Sequence, residues 1–262
     1  MAWFDQGEAH VYYEESGTGD PLLLLPGWGG TIDELAQIRE ALAPKFRVIA
    51  ADLPGSGKSG PQPRTYTSTY YQDDAPVFLA LLDALGASPA HLVGFSDGGE
   101  YALLMAAMKP SAVRSLVTWG SAGSLGTNVQ MADMMSTVID DPIPPMADFS
   151  TYMKATYGEA NARVMAQSAA KSFRTIMEAG GDVSRSLAPS ISCPALLITG
   201  EHDFLATPAL VSDLAHAIPS GEFIEAKGAS HAVHHEQPAW VTETVVGWLS
   251  KRSGQNSKGT RL

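Results

Sequence analysis

Residues 91–110 read HLVGFSDGGEYALLMAAMKP. The start, HLVGF, reads as a strand, and DGGEYALLMAAMKP reads as a helix halted at Pro110. Between them stands Gly94-Phe95-Ser96-Asp97-Gly98, a G-x-S-x-G turn from strand to helix. That is the setting of a nucleophile elbow. The flanking glycines allow a turn too tight for larger side chains. The turn lifts the Ser96 hydroxyl clear of the sheet, at the positive end of the following helix.

The same alternation extends on both sides. HVYYEE (10–15), PLLLL (21–25), FRVIAAD (46–52), SLVTWG (115–120), PALLITGEHD (194–203) and GEFIEA (221–226) read as strands. PLLLL is apolar throughout, as expected for a strand covered on both faces. Helices are predicted at TIDELAQIREALAP, YYQDDAPVFLALLDALG, TPALVSDLAHAIP and PAWVTETVVGWLSKR. Thr31 and Glu34 have the spacing of a capping box for the first of these. This pattern specifies an α/β fold, a mostly parallel central sheet wrapped by helices. It lapses over 121–185, where Met131, Met134, Met135 and Val138, then Val164, Met165, Ser168 and Ala169, recur at helical spacing around a PIPP stretch. We therefore expect a core of 1–120 and 186–250, a helical cap of 121–185, and a disordered polar tail of 251–262.

The formal net charge is −11. Such a balance argues against nucleic acid and anionic membrane surfaces, and is compatible with a cationic small molecule. Cys193 is the only cysteine, so no intramolecular disulfide is expected, and it reads as a buried, inert thiol. MAWFDQGEAH lacks the pattern of a signal peptide, and no apolar run has the length of a membrane span, so a cytoplasmic location is expected. A monomer or small homo-oligomer is expected. DLPGSGKSG (52–60) resembles a phosphate-binding loop, but Asp52 stands where that pattern needs its leading glycine. Pro61 and Pro63 also argue against the helix such a loop must open. Lys58 reads as a solvated loop residue.

Ligands of parallel α/β sheets bind beyond the carboxyl ends of the strands. A serine nucleophile needs a base there, and the base an orienting acid, in the chain order Ser, acid, His. Asp203, after LLITG, is the chosen acid, with Glu201 and His202 as alternatives. His231, after FIEA, is the chosen base, with His234 as the alternative. His10, His91, His202 and His216 read as surface or structural. A zinc motif starting at His235 fails because Ala239 stands where its second histidine belongs. Oxyanion donors are expected from the backbone N–H of Asp97 and of Trp28, the latter in the glycine-rich loop PGWGG (26–30). No metal or organic cofactor is required.

These segments together resemble the α/β-hydrolase superfamily: PGWGG, DLPGSGKS, GFSDGG, GEHD and GASHAVHHEQP, spread from about Tyr12 to Leu249. Within it the chain is similar to the family of valacyclovir hydrolase, or biphenyl hydrolase-like protein, through the Ser-Asp-Gly-Gly elbow, the Trp-Gly of VTWGSA and the Cys-Pro-Ala-Leu before the acid. The resemblance implies a serine carboxylesterase acting through an acyl-enzyme on a small-molecule ester. It implies that Asp97 pairs with the α-ammonium group of an amino-acid ester, with Gly27 and Trp119 at the substrate site. Asp97 can equally serve as a favourable charge at the helix N-terminus. Lactone opening, C–C bond hydrolysis, perhydrolysis, peptide cleavage and a slow-turnover ligand receptor share the same triad.

Overall fold

Leu22, Leu23, Leu24 and Leu25 divide alternately between two cores: Leu23 and Leu25 join one apolar cluster, Leu22 and Leu24 the other. A strand sends successive side chains to opposite faces, so an all-leucine strand needs a cover on each side. This is the arrangement in the computed structural model, which describes residues 1–253. The chain runs β1 (Ala2–Gln6), β2 (Ala9–Ser16), β3 (Asp20–Leu25), α1 (Ala36–Leu42), β4 (Phe46–Ala51), α2 (Tyr70–Ala84), β5 (Ala90–Phe95), α3 (Asp97–Met108) and β6 (Val113–Trp119). It continues through α4 (Gln130–Thr137), α5 (Ala147–Tyr157), α6 (Glu159–Glu178), β7 (Ala195–Gly200), α7 (Pro208–Ala217), β8 (Gly221–Ala226), α8 (Val233–Glu236) and α9 (Pro238–Ser250). The sheet order is β1-β2-β4-β3-β5-β6-β7-β8. β1 and β2 pair antiparallel, as do β2 and β4, and every other pairing is parallel. One core holds residues of α2, α3, α7 and the helices that follow β6; the other holds residues of α1 and α9.

Three expectations change. β1 was not expected; it forms a hairpin with β2 through Gly7, whose φ is +59°. The helix expected over 31–44 begins as a 3-10 turn, Ile32–Leu35, before α1. Thr31 makes no side-chain cap, and Glu34 is turned instead toward His234 and His235. The expected tail starts too early: Arg252 lies over the Trp248 ring and pairs with Glu222 at 2.7 Å. Residues 254–262 of that tail lie outside the described residues.

Residues 121–185 contribute no strand to the sheet; α5 bonds Gly29 and Gly57, and α6 bonds Tyr66, in loops at its carboxyl edge. Glu100, buried on α3, holds both connections of this segment. Its Oε1 accepts the N–H groups of Ala122 (3.0 Å) and Gly123 (2.8 Å), and its Oε2 the Ser184 hydroxyl (3.0 Å). Burial pushes the Glu100 carboxyl up to about 7, against the lowering effect of those bonds. Among the described residues, no helix is long and apolar enough to cross a membrane.

Candidate active site

Ser96 is the only non-glycine among the described residues with a positive φ (49°). That conformation is costly, and is kept only where the surroundings impose it. Here they do. Ser96 N–H donates to Trp119 O at 2.9 Å, and Ser96 O accepts from the N–H groups of Gly99 and Glu100 and from the Ser121 hydroxyl. The elbow glycines answer to close backbone packing. A Cβ on Gly94 would lie 2.4 Å from Gly98, and one on Gly98 would lie 2.4 Å from Pro26 O.

His231 Nε2 lies 3.1 Å from Ser96 Oγ, and its Nδ1 lies 2.8 Å from Asp203 Oδ2. Asp203 is buried and fully engaged. Its Oδ2 also accepts from Thr199 Oγ1 at 3.0 Å, and its Oδ1 from the N–H groups of Leu205 (2.8 Å) and Ala206 (2.9 Å). Burial alone would raise this carboxyl; the His231 bond and the two N–H bonds outweigh it and hold Asp203 below its usual value. The imidazole thus has an ionised acceptor at Nδ1, which leaves Nε2 as the lone pair facing the serine.

The alternatives lie elsewhere. Glu201 accepts the Gly228 N–H and sits near Lys227, and His202 is exposed. His234 is buried between Trp119 and Glu34, turned away from the serine. His91 is also buried, with Nδ1 2.7 Å from Ser115 Oγ, and burial brings it down to about 4.

Gly27 lets the oxyanion loop approach the elbow: a Cβ there would be 2.9 Å from the Phe95 ring and 3.4 Å from Ser96 Cβ. Among the described residues, neither the Trp28 N–H nor the Asp97 N–H has a backbone or side-chain acceptor. The Trp28 ring packs on Tyr66 (6.1 Å) and on Phe149 of α5 (5.7 Å). Tyr157, the last residue of α5, donates its hydroxyl to Gly29 O at 2.7 Å and accepts the Gly57 N–H at 2.8 Å. The stretch that resembled a phosphate loop is thereby engaged within the protein. Asp52 accepts the N–H groups of Ile32 (2.7 Å) and Lys58 (2.8 Å), and burial pushes its carboxyl up to about 6. Lys58 is less free than expected, because its ammonium lies 4.3 Å from the centre of the Tyr12 ring.

Asp97 is buried, and each carboxylate oxygen accepts a tyrosine hydroxyl, from Tyr70 at 2.9 Å and Tyr71 at 2.8 Å. Burial raises its carboxyl to about 6 despite those two bonds. Among the described residues no cation pairs with it directly; nearby Arg64 is committed to Asp74 at 2.7 Å. The tyrosine pair carried no recognisable sequence signal as a partner of Asp97, being read only as part of a helix.

Trp119 departs from its expected role. Its side chain has no exposure, stacks on Phe95 at 5.8 Å and donates its indole N–H to His234 Nδ1. It ends a strand buried on both faces, and its ring falls on the α1/α9 side, beneath the site rather than lining it.

Comparison with known proteins places the chain in a family. Residues 20–179 match the family model described as the alpha/beta hydrolase fold. The serine hydrolase BPHL of Homo sapiens is 31% identical over 216 residues, covering 79% of this chain and 71% of that protein. A pimeloyl-[acyl-carrier protein] methyl ester esterase of Chromobacterium violaceum is 29% identical over 250 residues, covering 87% of this chain and 94% of the esterase. Among solved structures, the enol-lactonase of Burkholderia xenovorans LB400 superposes with a TM-score of 0.73 at 26% identity, covering 95% of this chain and 100% of the lactonase.

Proposed function

Since the chain belongs to the α/β-hydrolase fold family, we propose that it is a serine carboxylic-ester hydrolase working through an acyl-enzyme. The observation that carries this is the unbroken line from Asp203 through His231 to the strained Ser96. In this reading Ser96 Oγ attacks the ester carbonyl while His231 Nε2 takes its proton. Asp203 holds the resulting imidazolium. The developing oxyanion is met by the N–H groups of Asp97 and Trp28; such a donor contributes about 3 kcal/mol to the transition state. The imidazolium returns its proton to the leaving alcohol. Water, deprotonated by His231, then attacks the acyl-enzyme and frees the acid and Ser96.

The Asp97 carboxylate supports one substrate class. It adjoins the nucleophile, is held by two hydroxyl donors and has no direct cationic partner among the described residues. A substrate α-ammonium group supplies the missing charge, which favours α-amino acid esters. The likeness to an enol-lactonase makes lactones the second class to assay.

The test is kcat/KM on paired esters that differ only in a free α-amino group, for the wild type and Asp97→Asn. The variant is expected to lose at least about tenfold more on the amino ester, the scale of a truncated charge pair. Equal losses on both members would remove the ammonium role and leave the esterase reading standing.

A further inference from the structure

We propose that Glu34 and His234 act as positioning residues, tying the oxyanion loop to the loop of His231 around the Phe95 ring. The proposal rests on the triad reading above. Glu34 stands four residues after Gly30, whose missing Cβ makes room for the carboxylate: a Cβ there would lie 2.1 Å from Glu34 Oε2. The other oxygen, Oε1, lies 3.2 Å from His234 Nε2 and 3.5 Å from His235 Nε2. His234 Nδ1 in turn lies 3.1 Å from the Trp119 indole nitrogen.

The direction of this relay is fixed by chemistry. An indole N–H can only donate, so His234 Nδ1 is an acceptor and the ring's single proton sits on Nε2, pointing at Glu34. A neutral His234 also agrees with its burial, which lowers its basicity. Two members of the relay Trp119→His234→Glu34 pack on the Phe95 ring. The Phe95 ring lies 4.4 Å from that of His234 and 5.2 Å from that of His231, and it abuts Gly27. The next residue is Ser96. Nucleophile, base and oxyanion loop all bear on one ring, and the relay clamps two of the three loops around it. Reactive groups held on separate loops need such support, because catalysis tolerates displacements of only about 0.5 Å.

The donor atoms of Glu34, His234 and His235 lie within 4.8 Å of one another, a spacing that also suits a metal ion. The chemistry does not fit one. A cation on His234 Nε2 would displace the only ring proton, while Nδ1 still faces an N–H donor.

Two substitutions separate the relay's ends. His234→Gln places an amide nitrogen near the Nε2 position, keeping the Glu34 link and giving up Trp119. His234→Asn places a carbonyl oxygen near Nδ1, keeping Trp119 and giving up Glu34. We expect His234→Asn to lower kcat by about 10- to 100-fold with little change in KM, the scale of a small misplacement of reacting groups. His234→Gln should retain more of kcat, although it leaves a buried indole N–H unpaired. Equal kcat in the two, measured well below the Tm of each, overturns the relay. So does stoichiometric metal in the purified protein whose removal abolishes turnover. Ser96→Ala in the same assay separates the two readings. Its inactivity keeps the triad whatever the His234 variants do, and its full activity removes the triad and the relay with it.

Discussion

The hydroxyl of Tyr157 sits between Gly29 O, to which it donates at 2.7 Å, and the Gly57 N–H, which donates to it at 2.8 Å. A residue of α5 thus fastens the oxyanion loop to the glycine-rich loop after β4. Tyr157→Phe keeps the ring and removes both bonds, leaving a carbonyl and an N–H short of partners. The expected cost is about 1–3 kcal/mol of stability, read by denaturant titration, together with a fall in kcat on any ester. Unchanged kcat alongside the stability loss would show that the oxyanion loop is held without Tyr157.

The Asp97 carboxyl, raised to about 6 by burial, sets a window for selectivity. Below about 6 it takes a proton and loses the charge that an ammonium group needs. A substrate α-amine loses its own charge near pH 8. The ratio of kcat/KM for an amino ester over its des-amino partner should therefore be highest between these limits and fall on both sides. Taking the ratio cancels any ionisation that affects both substrates alike. A flat ratio from pH 5 to 9 would contradict the assignment.

Glu100 gives a prediction for stability. Its carboxyl is near 7 in the folded protein against an ordinary 4.5, so between these values the folded state holds a proton that the unfolded state has released. Stability from this group is therefore present at low pH and lost as pH rises through about 7. Glu100→Gln keeps an acceptor for Ala122 and Gly123 and an amide toward Ser184, without the titration. Relative to wild type it should be close to neutral at pH 5 and more stable at pH 8, by roughly 3 kcal/mol at most. Urea unfolding at the two pH values measures the difference; a gain of equal size at both would place its origin elsewhere.

Gly98→Ala tests the elbow's packing. The added Cβ would lie 2.4 Å from Pro26 O and 2.5 Å from Leu25 O, both backbone atoms that cannot rotate aside. Overpacking of this kind costs about 1–3 kcal/mol, and here the strain falls on the start of the oxyanion loop. Loss of both stability and kcat is expected, with kcat falling more than in Tyr157→Phe. Thermal unfolding and steady-state kinetics on one preparation decide it.

Much of this site could be read in the sequence because its chemistry is confined to short segments. GFSDGG, GEHD and GASH stand at or just beyond the carboxyl ends of β5, β7 and β8, and parallel strands deliver such residues to one edge. The misreadings share a different cause. Thr31 and Glu34 have capping-box spacing, but a carboxylate offered two histidines from a distant loop takes those instead. Trp119 was placed at the substrate site by the resemblance; which face its ring takes is set by the strand's phase against both covering layers. Tyr70 and Tyr71 reach Asp97 across 27 and 26 residues, a pairing that only the packing of α2 against α3 creates. β1 was hidden because a short edge strand needs apolar residues on only one side.

The carbonyl of Gly123 accepts the N–H groups of Val183, Ser184 and Arg185 at 2.9–3.0 Å, and Ser124 bridges Asp182. The excursion after β6 therefore begins and ends at nearly the same point of the core. An excursion whose ends already touch adds little closure entropy when it lengthens or shortens. Everything between Ser124 and Asp182 is in effect a cassette: segments of other lengths can be grafted at that junction while β6 and β7 keep their register. Any such graft must still supply what Tyr157 supplies, the two bonds that fasten the oxyanion loop below it.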